Sequence, residues 1–385
     1  MKIAFLTPEY PNPKIVGNMG GIGTSILNLS KALTQLGHQV IVFVHTQDED
    51  SYFEQDGIFI YKIKNVKVKG FSRYFTQIKI ENLIKKINAK DKIDLIEVPD
   101  WGNSFFIVKH CPVVIRLHGS DTYFCHLDHR PVKWINYFHE KKILKNADAF
   151  ISVSDFTAKL TNELFKLKIN FTVIPNGIDI DNFQSNSDLI NSDTILYFGT
   201  LIRKKGLLEL PLIFNEVVKI NKNAKLVLVG KDSADILSGN SSTWAMMLAL
   251  FSEEAIQKVT YLGAVPYLEI KKYIQNATVC VFPTFAEALP VSWLEAMAMN
   301  KPVVASNIGW ASEIIEDNID GFLVHPQNHF EYALKISTLL NDKELQVKIG
   351  NSARKKIEKK FTNNIVAAQS VAFYQDILCI KNENY

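Results

Sequence analysis

The feature that most constrains the fold of this chain is a regular alternation of short apolar runs with longer amphipathic stretches. The apolar run KIAFLTP (2–8) is followed by GGIGTSILNLSKALTQLG (20–37), whose apolar residues recur at helical spacing, and then by HQVIVFVH (38–45). Short buried strands separated by helices predict a parallel sheet with helices on both faces. Further strands of this kind are predicted at 57–63, 94–98, 112–118, 148–154 and 171–175.

The alternation begins again after an Asn-, Asp- and Ser-rich segment at 174–194, which we interpret as an interdomain linker. An ordinary long loop is the alternative interpretation. The pattern predicts two doubly wound, Rossmann-like domains with a ligand site in the cleft between them. The N-terminal domain is predicted at 1–178, completed by a helix in 362–385 that crosses back to it, and the C-terminal domain at 179–361. In this second half, strands are predicted at 194–199, 225–230, 258–263, 278–283 and 301–306, and helices at 205–221, 266–276, 290–299, 328–340 and 342–360.

Composition narrows the class of protein. A formal charge of +3 over 385 residues argues against nucleic-acid binding by bulk charge. The four cysteines are far apart and form no CxxC pair, which suits free thiols in a reducing compartment. The N-terminal run is broken by proline and reads as a first strand, not a signal peptide, and no apolar run approaches the ~20 residues of a membrane helix. We therefore expect a cytoplasmic protein, and a peripheral position on the inner face of the membrane stays open.

Two carboxylates stand out in FAEALPVSWLEAMAMN (285–300). Glu287 falls in a predicted strand-to-helix turn at the carboxyl edge of the sheet, and Glu295 falls in the helix, one turn after Val291 and on the same face. The backbone N–H groups near Leu289 and Val291 would favour an anionic or hydroxylated ligand beside these acceptors. For the pair taken alone, the simpler interpretation is a helix N-terminal acid and an exposed mid-helix glutamate.

The surrounding residues change that interpretation. The stretch resembles the E-x7-E motif of the retaining GT-B glycosyltransferases of family GT4, with an aromatic residue before the first glutamate and LEAMA around the second. VIPNGID (173–179) is also typical of this family. The resemblance covers essentially the whole chain. It implies a hexosyltransferase-type enzyme that moves a sugar from a nucleotide-sugar donor, most commonly UDP-linked, to an acceptor hydroxyl with retention of configuration, in cell-surface polysaccharide or glycolipid synthesis.

The resemblance also implies roles for the motif residues. Glu287 should contact the hydroxyls of the donor sugar and stabilise positive charge at the anomeric carbon, as a catalytic residue. Glu295 should accept hydrogen bonds from the ribose hydroxyls of the nucleotide. Backbone amides near Leu289 and Val291 should hold the sugar or the diphosphate, although Pro290 removes one donor that the family often has.

A basic turn, FGTLIRKKG (198–206), is similar to the family pattern G-R-L-x-x-x-K-G. A departing diphosphate requires positive charge, and Lys205 matches the family lysine. The family arginine is replaced by Thr200, so we expect Arg203, in the same loop, to supply the missing cation at the donor site. A solvated basic turn is the alternative.

Two elements of the first domain complete the predicted site. In GNMGGIGTS (17–25), Gly20 and Gly21 are predicted to let the backbone approach the donor diphosphate, although a tight strand-to-helix turn explains glycines there as often. His118 follows the predicted strand at 112–118 and matches the family histidine near the transferred sugar, while Asp121 is a candidate acceptor-side contact. A lone histidine is more often structural.

No metal site is predicted. Asp48-Glu49-Asp50 and Asp179-Ile180-Asp181 fit D-x-D, but the pattern is common by chance and the GT-B architecture does not need it. Cys125, His126 and His129 cluster without a second ligand pair at zinc-like spacing. We therefore expect a metal-independent reaction in which the nucleotide-sugar is a substrate and no cofactor takes part.

The segment 62–92 carries ten Lys/Arg against two acids and includes Phe71, Tyr74 and Phe75. Such a run is usually a solvated face. In the family that this chain resembles, the first domain binds the acceptor, often a lipid-linked one, so docking on an anionic membrane is the other expectation.

Two alternative functions stay open. A nucleotide-sugar 2-epimerase on a similar fold would act without an acceptor, and the E-x7-E and PNGID elements argue against it. A catalytically silent sugar-nucleotide binding protein is kept open by the departures at Thr200 and Pro290.

Overall fold

The structure is a computed structural model that describes residues 1–17, 20–101, 111–184 and 193–383. The chain divides into two compact units. Unit 1 comprises Met1–Ile178 with Asn363–Tyr385, and unit 2 comprises Asp179–Thr362.

Unit 1 is built on an eight-stranded sheet in the order β3-β4-β2-β1-β5-β6-β7-β8. Its strands pair in parallel, except for the antiparallel hairpin that β3 forms with β4. The central strands are buried along their whole length, as expected of a parallel sheet covered on both faces. The strands are β1 Lys2–Thr7, β2 Gln39–Gln47, β3 Ser51–Gln55, β4 Ile58–Lys64, β5 Leu95–Pro99, β6 Val113–Leu117, β7 Ala149–Ser152 and β8 Thr172–Val173.

Helices cover both faces of this sheet. On one face, α1 and the C-terminal helix α14 pack against strand side chains such as Phe5 and Val42, and α14 contributes Tyr374 to this core. On the other face, Ile80 and Ile84 of α2 bury against strand residues. The helices of unit 1 are α1 Gly21–Gln35, α2 Ser72–Lys90, α3 Asp121–Leu127, α4 Trp134–Asn146, α5 Asp155–Phe165 and α14 Asn363–Glu383.

A buried ion pair fastens α14 to the sheet. Arg116 on β6 donates to both carboxylate oxygens of Glu97 on β5, at 2.7 and 3.1 Å, and both residues are 2% exposed. Arg116 also donates to the Ile174 carbonyl and to the Ser370 hydroxyl, each at 3.1 Å. The Tyr374 hydroxyl donates to Glu97 at 2.5 Å. Because its charges and donors are paired, the cluster can remain buried.

Unit 2 contains a six-stranded, fully parallel sheet in the order β11-β10-β9-β12-β13-β14. The strands are β9 Thr194–Phe198, β10 Lys225–Val229, β11 Val259–Tyr261, β12 Val279–Phe282, β13 Val303–Ala305 and β14 Phe322–Leu323. The helices are α6 Leu210–Ile220, α7 Thr243–Leu248, α8 Glu253–Ile256, α9 Ile270–Asn276, α10 Val291–Ala298, α11 Ala311–Ile314, α12 His329–Asn341 and α13 Lys343–Lys360.

The predicted strands are confirmed with small shifts at their ends. The helix predicted at 205–221 begins only at Leu210, because Arg203–Lys205 form a 3-10 turn that ends at the positive-φ residue Gly206. Likewise, a 3-10 turn at Tyr267–Glu269 precedes α9. Residues 185–192 of the predicted linker lie outside the described residues. Among the described helices, none combines the length and the apolar character needed to cross a membrane.

We predict that Tyr374→Phe destabilises unit 1 by about 1.5–3 kcal/mol, because it removes a hydrogen bond to a buried carboxylate. Tyr332→Phe is the matched control, since that buried hydroxyl donates at 2.6 Å to the neutral Val304 carbonyl in unit 2. It should cost about 0.5–1.5 kcal/mol. Hydrogen exchange resolved by peptide reads the opening free energy of each unit separately. Equal losses in the two variants would contradict the prediction.

Candidate functional site

Two loops at the carboxyl edge of the unit 2 sheet are locked together. A Cβ at Gly206 would lie 1.7 Å from the carbonyl oxygen of Pro283, and Gly206 has φ +73°, so this position requires glycine. The amides of Phe285 and Ala286 both donate to the Lys204 carbonyl, at 2.8 and 3.2 Å. The basic turn after β9 is therefore fixed against the loop that follows β12.

This contact brings together two of the residues predicted for the site. Lys205 Nζ lies 3.1 Å from Glu287 Oε1, and their side chains are 23% and 17% exposed. Glu287 stands in the loop between β12 and α10, as predicted. The pair presents one positive and one negative group, half-buried, at the edge where parallel sheets bind ligands.

Glu295 lies on α10 and is 5% exposed. The hydroxyl of Tyr267 donates to its Oε1 at 2.6 Å. Burial raises the pKa of Glu295 to about 7, and the Tyr267 hydrogen bond and the positive charge of Lys205 oppose this rise. The glutamate therefore changes charge near neutral pH. Burial, together with the Glu295 charge, also raises the pKa of Tyr267, which keeps the phenol protonated.

Arg203 is held by a partner that the sequence analysis did not identify. Its Nε and Nη2 donate to the two carboxylate oxygens of Asp235 at 2.8 and 2.7 Å. Hydrogen bonding from Arg203 holds the pKa of Asp235 well below its usual range. The predicted substitute cation is thus already paired with a buried carboxylate, whereas Lys205 pairs with Glu287. Thr200 is exposed, and its carbonyl accepts the Tyr197 hydroxyl at 3.0 Å.

The helix that follows Glu287 begins at Val291, with Pro290 as its extended N-cap. The side chains of Leu289 and Val291 are 4% and 8% exposed. Any ligand contact from these two residues would therefore come from backbone atoms, which is the kind of contact that the sequence analysis predicted for them.

In unit 1, His118 directly follows β6 and is 6% exposed. Its amide donates to Asp100 Oδ1 at 2.7 Å, and the Gly119 amide donates to Oδ2 at 3.2 Å. Burial lowers the pKa of His118 to about 3, with a further contribution from the positive charge of Arg116. The imidazole is therefore neutral at physiological pH. Burial raises the pKa of Asp100 to about 7 against these two backbone hydrogen bonds.

Asp121 begins α3 and is engaged within unit 1. Its carboxylate accepts hydrogen bonds from Asn136 at 2.9 Å and from Arg130 at 3.4 Å. Its amide donates to the buried Glu140 at 3.0 Å. These hydrogen bonds give Asp121 a structural role at the start of α3. Its contact with the acceptor stays a prediction.

Gly20 and Gly23, at the start of α1, lie against the side chain of Glu9. The Gly23 amide donates to Glu9 Oε1 at 2.8 Å, and a Cβ at Gly20 would lie 2.9 Å from both Glu9 oxygens. Burial raises the pKa of Glu9, and hydrogen bonds from the amides of Gly20, Ile22 and Gly23 oppose this. Gly20 is the N-cap of α1, which starts at Gly21. The predicted position for a diphosphate thus lies beside a carboxylate of the protein.

Asp48, Asp50 and Asp179 of the D-x-D candidates have partners within the protein. Lys62 Nζ lies 3.5 Å from Asp48 and 3.0 Å from Glu49, and Lys79 donates to Asp50 at 2.6 Å. Asp179 accepts from Asn182 at 2.5 Å. Within the described ranges, no group of three His, Cys, Asp or Glu side chains is arranged to hold a metal ion.

Four residues at these sites escaped the sequence analysis, and each acts through a partner distant in sequence. Tyr267, Asp235, Asp100 and Glu9 meet their partners only after the strands pair and the loops fold.

Residues 179–356 match the family model described as glycosyl transferases group 1, and residues 19–182 match the model described as Glycosyltransferase Family 4. An uncharacterized glycosyltransferase of Methanocaldococcus jannaschii is 27% identical over 97% of this chain and 98% of its own length. The capsular polysaccharide biosynthesis glycosyltransferase CapM of Staphylococcus aureus is 26% identical over 64% of this chain and 66% of its own.

Two solved structures share the fold. Sucrose-phosphate synthase from Thermosynechococcus elongatus has a TM-score of 0.80 at 21% identity, covering 98% of this chain and 99% of that one. Anabaena HepE, in its complex with UDP and glucose, has a TM-score of 0.76 at 20% identity, covering 97% and 99%. At these identities the likeness concerns the fold, and it confirms the predicted fold class of two Rossmann-like α/β domains.

We predict that Gly206→Ala destabilises unit 2 by about 3 kcal/mol or more, because the new Cβ would overlap the Pro283 carbonyl. Gly239→Ala is the matched control. Gly239 has nearly the same φ, +75°, but an added Cβ there would meet nothing within 4 Å, so only the cost of the left-handed backbone remains, about 1–2 kcal/mol. The measurement is the thermal unfolding midpoint of each variant, compared with that of the wild-type protein. Similar losses would show that the close approach of the two loops is not required.

Proposed function

Because this chain belongs to the glycosyltransferase group 1 family, we propose that it transfers a hexosyl group from a nucleotide-sugar to an acceptor hydroxyl with retention of anomeric configuration. The observation that carries the proposal is the pairing of Lys205 with Glu287, close enough to Glu295 for the lysine to influence its charge. The three residues bring a cation and two carboxylates to the carboxyl edge of one sheet. A nucleotide-sugar presents diphosphate, sugar hydroxyls and ribose hydroxyls, which these groups would bind.

In the proposed reaction, the bond between the anomeric carbon and the diphosphate oxygen breaks, and its electron pair leaves with the phosphate. The acceptor oxygen forms its bond to the anomeric carbon on the same face, and its proton passes to the departing phosphate oxygen. Lys205 stabilises the negative charge that develops on the phosphate, and Glu287 stabilises the positive charge at the sugar. Holding both groups in a preformed pair lowers the reorganisation that the transition state requires.

His118 is proposed to hydrogen-bond the transferred sugar as a neutral imidazole. Its low pKa means that it adds no positive charge near the sugar, and its backbone is fixed by Asp100. A neutral ring can either donate to or accept from a sugar hydroxyl.

We propose a UDP-linked donor and no metal requirement. HepE, which shares the fold, is described in complexes with UDP and with UDP-glucose. Lys205 offers the cation that a departing diphosphate needs. Of the aspartates that fit D-x-D, Asp48, Asp50 and Asp179 already have protein partners. The relative CapM, which acts in capsular polysaccharide biosynthesis, supports an acceptor in polysaccharide or glycolipid synthesis.

We also propose that the start of α2 docks on an anionic membrane surface. Phe71, Tyr74 and Phe75 are 62%, 60% and 41% exposed, and on α4 Trp134 and Phe138 are 76% and 55% exposed. The charge of Glu140 on α4 acts on Arg73 of α2, so these two residues lie within electrostatic range of each other. Exposed aromatic side chains among lysines fit a lipid interface, where each well-placed Lys contributes about 1 kcal/mol.

Replacement of Phe71, Tyr74 and Phe75 by serine should weaken cosedimentation with phosphatidylglycerol vesicles, because it removes the aromatic contact made by α2 and leaves the lysines and the aromatic residues of α4 in place. Phe330→Ser, which changes an exposed aromatic residue of unit 2, is the control and should bind like the wild type. Binding that is unchanged in the triple variant, or equal on neutral phosphatidylcholine vesicles, would contradict the docking proposal.

The donor assignment is tested by thermal shift of the full chain with UDP, GDP, ADP and CMP. We expect UDP to stabilise the protein without added metal, by about 2.7 kcal/mol at 100 times its dissociation constant. Glu295→Ala should remove the shift, whereas Glu253→Ala, which removes an exposed acid of the same unit, should not. The absence of a shift with all four nucleotides, with and without magnesium, would contradict the proposal.

Turnover separates the alternatives. Glu287→Gln should lower kcat by about 10²–10³-fold, since the carboxylate is proposed to act on the transition state. The anomeric proton coupling of the product measured by NMR reports retention or inversion. Conversion of the nucleotide-sugar to its 2-epimer without acceptor would favour an epimerase, and nucleotide binding without turnover would favour a silent binding protein.

A further inference from the structure

We propose that Tyr267 is a positioning residue that orients the Glu295 carboxylate toward the ribose hydroxyls of the nucleotide. The inference rests on the proposed function, which assigns those hydroxyls to Glu295. Its geometric basis is the 2.6 Å hydrogen bond from the Tyr267 hydroxyl to Glu295 Oε1.

Glu295 needs such a donor because of where it lies. At 5% exposure, little solvent reaches the side chain, and a buried carboxylate favours its protonated form. A protonated carboxyl group donates from one oxygen and is a poorer acceptor for two adjacent hydroxyls. A fixed hydrogen-bond donor on one oxygen favours the ionised form and sets the plane of the group.

The residues that pack against Tyr267 are connected by hydrogen bonds to α10, the helix that carries Glu295. The Tyr267 ring packs edge-on against Phe183, with centroids 6.3 Å apart. Arg354 Nη1 donates to the Phe183 carbonyl at 2.7 Å and to the Ala298 carbonyl, at the end of α10, at 2.5 Å. The tyrosine and the glutamate are thus held in one framework within unit 2, although the residue Tyr267 remains 47% exposed.

The charged groups around the pair are few among the described residues. Lys205, from the turn after β9, favours the ionised form of Glu295, and Lys205 is itself paired with Glu287. Asp179 acts on the phenol and opposes its ionisation. Tyr267, which also favours ionised Glu295, contacts it by a hydrogen bond, and this bond fixes the direction of the carboxylate.

The test is isothermal titration of the full chain with UDP between pH 6 and 9, or with GDP or ADP if one of these is the diphosphate that the protein binds. Wild-type affinity should rise with pH through about 7, because binding requires ionised Glu295. Tyr267→Phe should weaken binding about tenfold at pH 7 and move the pH midpoint upward, since the lost hydrogen bond leaves the protonated form more favoured. Its preference for the ribonucleotide over the 2′-deoxy analogue should also shrink.

Tyr261→Phe is the matched control, because that hydroxyl donates to the Gly230 carbonyl and has no contact with Glu295. It should leave the pH midpoint unchanged. The double variant Tyr267→Phe with Glu295→Gln should bind no more weakly than Glu295→Gln alone, since the tyrosine acts through the glutamate.

The possible results separate the inference from the proposed function. If Glu295→Gln leaves affinity and its pH dependence unchanged, the ribose assignment fails, and so does the inference. If Glu295→Gln removes the pH dependence but Tyr267→Phe keeps the wild-type midpoint, only the inference fails. Tighter binding by Tyr267→Phe would show that its hydroxyl competes with the ribose, which also overturns the inference. Absence of binding by all three diphosphates overturns both.

Discussion

The buried pair of Arg116 and Glu97 is the interaction on which the rest of unit 1 depends. It joins two central strands, holds the carbonyl of Ile174 and receives Tyr374 from the last helix. Two buried charges are tolerated because each is paired and hydrogen-bonded, and removing either partner would leave an uncompensated charge in the core. The same two strands lead to Asp100 and His118, and the charge of Arg116 helps to keep that imidazole neutral. The structural pair thus adds to the effect of burial, which is the main cause of the low pKa of this predicted catalytic residue.

In unit 2, a close approach between two backbone segments positions the predicted site residues, whereas in unit 1 a buried ion pair joins the central strands. Gly206 lets the basic turn approach the loop after β12, and this approach brings Lys205 to Glu287. The cation and the carboxylate come from loops that follow neighbouring strands, so their pairing depends on the order of strands in the sheet. Glu295, on the helix α10 that follows this loop, adds a second carboxyl group to the same edge of the sheet.

Sequence patterning predicted the parts of the fold that have a strong periodic signal. The continuous apolar runs of β9, β10 and β12 identified them, whereas the polar edge strand β3 is defined only by its pairing with β4. The E-x7-E motif and the basic turn gave Glu287, Glu295 and Lys205 as separate candidates. Their mutual contacts, and the partners Tyr267, Asp235 and Glu9, could not be predicted, because these contacts join elements that are distant in the chain.

The division of unit 1 between the two ends of the chain has a consequence for biosynthesis. Unit 2 is continuous and is complete once residue 362 has been translated. Unit 1 still lacks α14 at that moment, so its α1-side core and its Arg116 cluster remain without Tyr374 and Ser370. Domains commonly fold from the N-terminus first during synthesis. Here the N-terminal unit cannot complete its core until α14 has been translated, after the whole of unit 2. The first unit to be translated is therefore the last that can be finished.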